Sequence, residues 1–216
     1  PMLLNHLYGP EESRERAYLR SYKKCYEDLD TLLRPEIRQE LEGAEPQEEL
    51  PRRFFESGRM RHFLNRLMHL NVRLKGADQI LTKVNNLTTA NGLLGRSPLF
   101  DQRIVAASFA IPPTYKLDGV VEKAVLKKAV EDLLPREVVY RRKSGMRVPV
   151  QDWFRRELRR LAKRMLLGRG ARLRRYLNEE TLRETLNYRR VFWSRHGAKL
   201  WLLVSLEAWM RVREIS

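Results

Sequence analysis

An all-α fold is predicted by three features of this 216-residue chain. Apolar residues recur at helical spacing in segment after segment, no period-2 alternation is long enough for a strand, and Pro and Gly punctuate the periodic stretches. A hydrophobic fraction of 43% is enough to fill a core. There is no low-complexity tract and no internal repeat.

In chain order, the pattern predicts a first helix from Glu11 to Tyr26, opening after Gly9-Pro10 with acidic residues early and basic ones later, as the helix dipole favours. Pro35 and the stretch EGAEPQEELP, Glu42 to Pro51, break the periodicity. A second helix is predicted from Arg52 to about Leu74, with Phe54, Phe55, Phe63, Leu67 and Leu70 at helical spacing. Gly76 is expected to stop it. A third starts near Asp78, carries Ile80, Leu81, Val84 and Leu87 on one face, and ends at Asn91-Gly92. Asp101 reads as the N-cap of the next, which Pro112-Pro113 terminates.

Val120 to Leu134 is predicted as a further amphipathic helix, stopped by Pro135. Val138 to Val150 has adjacent β-branched residues, a Gly and a Pro, and reads as a loop. Helices resume at Gln151 to Leu167, Asn178 to Tyr188 and Gly197 to Arg213. Leu200 to Met210, with Trp201 and Trp209, reads as core, and Trp153 and Phe154 as packing anchors. The expected division is an N-terminal helical segment over 1–75 and a C-terminal helical region over 76–216.

One cysteine, Cys25, excludes a disulfide framework and a cysteine zinc site, and favours a reducing compartment, the cytoplasm. The histidines His6, His62, His69 and His196 have no metal-ligand spacing, so no metal is expected of this chain. The longest apolar run, LWLLVSL, is far short of the roughly 20 residues a bilayer span needs. A net charge of +16 implies attraction to polyanions. Between Arg155 and Arg175, ten basic residues face one Glu, which is either a phosphate-tracking surface or a solvated Arg-rich helix.

No Walker-type loop, GxGxxG after a strand, or nucleophile and base pairing is present. The chemistry-bearing segment is Arg141-Arg142-Lys143-Ser144-Gly145. Three consecutive cations repel one another, so the loop gains most when an anion neutralises them, and Gly145 lets a backbone approach that anion closely. Arg96, set between Leu94 and Leu99 with Pro98 fixing the turn, must be paired or aimed at an anion, because an isolated buried charge is costly. Asp101 is the expected partner, with a place in a ligand cleft as the alternative.

Taken in order, NGLLGRSPLFDQRIV, IPPTYKLDGVVEKAVLKKAVEDLLP, YRRKSGMRVPVQDWF and KLWLLVSLEAWMR resemble the C-terminal helical part of the asparagine synthetase family, over Leu74 to Arg213. The resemblance implies the helical half of an adenine nucleotide α hydrolase-type domain, in an enzyme that adenylates a carboxylate with ATP and Mg²⁺ and then amidates it. It implies aspartate or a related carboxylate and ammonia or glutamine as substrates. Lys143 takes the place of the lysine that reaches the ATP phosphates in the family's R-x-K-x-G-F-x-x-P loop, with Arg142, Ser144 and Gly145 beside it. Lys123 matches a second family lysine.

The chain also departs from the family pattern. Leu94 stands where the family has a glutamate thought to assist amidation, and Asn85 and Asn86 replace an acid and a base. The family's S-G-G-x-D-S nucleotide loop does not occur, so a glutamine-hydrolysing ligase is expected of a longer parent and no synthetase activity of this chain alone. Two rival readings stay open: a basic helical nucleic-acid-binding module, disfavoured because aromatics do not interleave with the charge, and a catalytically silent interaction domain of the same family. The assembly is open between one chain and a homodimer.

Overall fold

The computed structural model describes residues 13–22, 28–58, 60–142, 148–189 and 196–215. The elements in chain order are α1 (Arg14–Leu19), α2 (Leu29–Leu32), α3 (Pro35–Glu40), α4 (Glu49–Phe55), α5 (Phe63–Asn71), α6 (Thr82–Ala90), α7 (Gln102–Ala110), α8 (Pro113–Lys116), β1 (Leu117–Asp118), β2 (Val121–Glu122), α9 (Ala124–Val130), α10 (Arg136–Val139), α11 (Val150–Arg155), α12 (Arg159–Leu167), α13 (Glu179–Leu186) and α14 (His196–Val212). The protein is all-α, and β1 and β2 form a two-residue antiparallel ladder. None of the described helices is long and apolar enough to cross a membrane. Contacts group the chain into two compact units, Pro1–Pro46 with Met146–Ser216, and Gln47–Gly145.

The first unit is organised by α14. Its buried positions His196, Leu200, Leu203, Glu207 and Met210 recur at spacings of four and three, so they form one stripe down the helix. That stripe meets Phe154 of α11, Ala162 and Leu166 of α12, and Leu182 and Leu186 of α13 in one apolar cluster. Burying each such large side chain contributes about 1.5–3 kcal/mol. Gly197 lets α14 come close to α11: a Cβ there would lie 2.5 Å from the Gln151 Cα. The Gly197 N–H donates to Gln151 Oε1 at 2.6 Å.

Two buried charges fix long-range connections in this unit. Glu207 has no exposure and accepts from the main-chain N–H groups of Arg172 (3.1 Å) and Leu173 (2.9 Å) and from Arg211 Nε (2.6 Å). It thereby satisfies the open N-terminus of a short 3₁₀ turn, Arg172–Arg175. Lys199 of α14 forms a buried ion pair with Asp28, just before α2. The same segment is laced to the chain beyond the turn: Asn178 N–H donates to Leu32 O (2.8 Å), Arg34 N–H to Tyr176 O (3.0 Å), and Thr181 Oγ1 to Thr31 O (2.8 Å).

In the second unit, α5 runs into a π-helical stretch, Val72–Leu81, and on into α6. The stop expected at Gly76 does not occur. Gly76 is buried mid-helix because a Cβ there would lie 2.7 Å from Phe100 Cε1, so the missing side chain makes room for an aromatic ring. Phe55 packs on Phe63 at 5.3 Å between ring centroids, and His69 stands edge-on to Phe54 (5.2 Å) and Phe109 (6.4 Å). Arg66 donates through Nε to Met60 O (2.7 Å), bracing the chain between α4 and α5.

Other elements also differ from the expected ones. The helix expected from Arg52 to Leu74 is interrupted between α4, which ends at Phe55, and α5, which starts at Phe63, and Gly58 takes a φ of +64° there. Instead of one helix over Val120 to Leu134, Gly119 (φ +54°) turns the β1–β2 hairpin, whose β-branched Val121 favours extended backbone, and α9 covers only the middle. Arg156 leaves helical geometry and divides the helix expected over Gln151 to Leu167 into α11 and α12. Phe154 is buried as expected, but Trp201 (48% exposed) and Trp209 (51%) lie off the buried stripe of α14 rather than in the core.

Lys199→Met leaves the buried Asp28 carboxylate without its cation and is expected to lower the unfolding free energy by about 3–5 kcal/mol in urea titrations. The double variant with Asp28→Leu should recover most of that loss, since it removes both charges.

Candidate functional site

The segment expected to carry phosphate chemistry begins at the end of α10. Pro135 precedes this helix, Arg136–Val139 form its single turn, and Tyr140 caps it with its N–H on Arg136 O at 2.9 Å. Arg141 and Arg142 then leave the helix, both exposed. Lys143, Ser144 and Gly145 lie outside the described residues. Among the described residues, neither Arg141 nor Arg142 forms an ion pair.

The cations just upstream are engaged. Glu131, on the turn after α9, accepts from Lys128 and from the Tyr140 hydroxyl, the latter at 3.0 Å. Lys127 Nζ lies 5.5 Å and the Arg136 guanidinium 4.9 Å from the Tyr140 ring centre. The hydrogen bonds from Lys128, first, and Tyr140 hold the Glu131 carboxyl below its ordinary value. The bond to Glu131 in turn pushes the Tyr140 phenol and the Lys128 ammonium up. Tyr140 also lines an open pocket of about 630 Å³, together with Tyr115, Asp118, Val121, Ala124 and Val125.

Lys123 is exposed and stands at the N-cap of α9 in a left-handed conformation, φ 60° and ψ 37°. That backbone region is costly for a residue with a Cβ. Its side chain makes no cap hydrogen bond.

The expected pairing of Arg96 with Asp101 does not form. Asp101 caps α7, accepting from the Arg103 N–H at 2.9 Å and from Arg103 Nε at 3.0 Å. Arg96 is exposed, and its neighbours Leu94 (75%) and Leu99 (76%) are exposed with it, so no burial forces it to find a partner. Asn85 and Asn86 are likewise exposed on α6.

The Glu131–Tyr140 cluster was not singled out by sequence. Lys128 and Glu131 show the helical spacing of an ion pair, but the Tyr140 contact spans nine residues across Pro135 and depends on how the chain turns there. No group of three His, Cys, Asp or Glu residues that could hold a metal ion is found among the described residues.

The chain matches the model of the asparagine synthase family over residues 4–211. It is 30% identical over 95 residues to asparagine synthetase (glutamine-hydrolyzing) 1 of Bacillus subtilis (strain 168), covering 44% of this chain and 15% of that protein. It is 31% identical over 90 residues to a protein of Mycobacterium tuberculosis (strain ATCC 25618 / H37Rv) with a provisional asparagine synthetase (glutamine-hydrolyzing) name, covering 42% of this chain and 14% of that one. The aligned part is thus a small fraction of either relative. No solved structure matches significantly.

The contacts with Arg103, side chain first and then main chain, hold the Asp101 carboxyl below its ordinary value. A lowered folded pKa means that the cap contributes above the unfolded value, about 3.9, and is lost as pH falls through the lower folded one. In a carboxyl NMR titration Asp101 is expected to titrate below that value. Arg103→Gln should raise its midpoint only partway, because the main-chain N–H remains.

Proposed function

The chain belongs to the asparagine synthase family, and from that premise we propose that it is the helical part of an ATP-dependent amide-forming ligase. The enzyme adenylates a carboxylate, aspartate or a related acid, and then amidates it with nitrogen from ammonia or glutamine. One observation carries the reading: Arg141 and Arg142 emerge exposed from a helix end with no carboxylate to neutralise them among the described residues, while Lys127, Lys128 and Arg136 before them are engaged. Such a pair suits a polyphosphate.

Arg142, Lys143, Ser144 and Gly145, with Lys123 as a second lysine, would hold the phosphates. ATP would supply the adenylyl group: the carboxylate oxygen bonds to the α-phosphorus as the bond to the β-phosphate oxygen breaks and pyrophosphate leaves, and the role of Lys143 would be to offset the negative charge that grows there. Arg141 and Arg142 hold the phosphates by charge and donated hydrogen bonds. Leu94 cannot take up a proton, so the amidation step has no general base at that position. Mg²⁺ has no acidic cluster to hold it among the described residues. A cytoplasmic setting belongs to the same reading.

Aspartate-dependent pyrophosphate release, measured on the native polypeptide carrying these residues, is expected to fall by about 10²- to 10³-fold in Lys143→Ala. An unchanged rate would overturn the assigned role.

A second reading has its own observation. Arg156, Arg160, Lys163 and Arg164 are exposed along α12 and the residues before it, and none is in an ion pair among the described residues. If that face binds nucleic acid, its affinity at low salt should drop steeply as salt rises, since phosphate contacts release counterions. Absence of binding at low salt excludes this reading.

A further inference from the structure

We infer that Tyr140 is a positioning residue, clamped by Glu131, Lys127 and Arg136 so that Arg141 and Arg142 are presented to the phosphates of the nucleotide; this rests on the function proposed above. Tyr140 is fastened at two points. Its main-chain N–H is bound to Arg136 O at 2.9 Å, and its hydroxyl donates to Glu131 at 3.0 Å. The first contact belongs to α10 and the second to the turn after α9, so the residue ties two short elements on either side of Pro135.

Core packing does not account for this arrangement. Tyr140 is 36% exposed and outside the apolar core, and four charged side chains gather at its ring and hydroxyl beside the apolar wall of the pocket it lines. Lys127, Lys128 and Arg136 would repel one another; Glu131 and the electron-rich face of the ring are what let them gather. The arrangement removes three cations from competition for an incoming anion. The next two residues, Arg141 and Arg142, are exposed and have no carboxylate partner among the described residues.

A single peptide unit separates the clamped residue from Arg141, so fixing Tyr140 removes most of the freedom with which the guanidinium groups leave the helix. A polyphosphate then meets cations whose ordering is already complete, which is the general benefit of preorganisation in binding. The aromatic ring and the hydroxyl make separable contributions, the first through Lys127 and Arg136 and the second through Glu131.

The test is the affinity of the native polypeptide for inorganic pyrophosphate, by calorimetry, with thermal unfolding followed in parallel. Tyr140→Ala should weaken binding about tenfold while leaving the melting temperature near that of the parent, because the side chain is partly exposed. Tyr140→Phe keeps the ring and should lose less. Glu131→Gln weakens the same hydroxyl bond and also releases Lys128, so its own effect differs from that of Tyr140→Phe, but combining the two should change binding by less than the sum of the single effects; a purely additive pair counts against the clamp. Arg142→Ala and Lys143→Ala serve as controls on the site itself. If they weaken binding and Tyr140→Ala does not, the clamp is refuted while the phosphate site stands. If neither control weakens binding, or the parent does not bind pyrophosphate, the proposed function fails and the clamp fails with it.

Discussion

Lys199 and Asp28 stand 171 residues apart in sequence and meet as a buried ion pair. Neither charge could be taken from water alone without a penalty of several kcal/mol, so each holds the other in place. Their contact fixes α14 against the start of α2, and the main-chain bonds of Leu32 and Arg34 to the chain around Tyr176 and Asn178 follow in the same segment. Glu207, eight residues or about two helical turns further along α14, does the corresponding work for the 3₁₀ turn at Arg172. The apolar stripe of α14 supplies the burial energy of the first unit, and these two charges supply its register.

The second unit handles its charges differently. Its cations are at the surface, and what separates one from another is which have been given a partner. Lys128, Lys127 and Arg136 converge on Glu131 and Tyr140, Arg103 on Asp101, and Lys116 donates to Asn65 at 2.7 Å. Arg96, Lys123, Arg141 and Arg142 have none among the described residues. In a chain with a net charge of +16, that partition marks where an anionic substrate would find cations not already neutralised. The unit also leaves Leu87, Leu94 and Leu99 more than half exposed.

What the sequence by itself determined is local. The apolar period of α14, the cap chemistry of Asp101 and the helix end at Asn91-Gly92 each depend on residues within a turn or two, and local sequence exposes them. The motif order that resembles the asparagine synthetase family is likewise linear, and the family match extends over it. Only the tertiary structure decided that Gly76 continues a helix instead of ending it, because Phe100 had to arrive before the missing Cβ had a use. It also left Arg96 exposed and gave Asp101 to Arg103, turned Trp201 and Trp209 away from the core, and closed Tyr140 onto Glu131. The reason is physical: a helix is stabilised by neighbours in sequence, whereas a charge or an aromatic ring takes whichever partner the folded chain brings within a few ångströms.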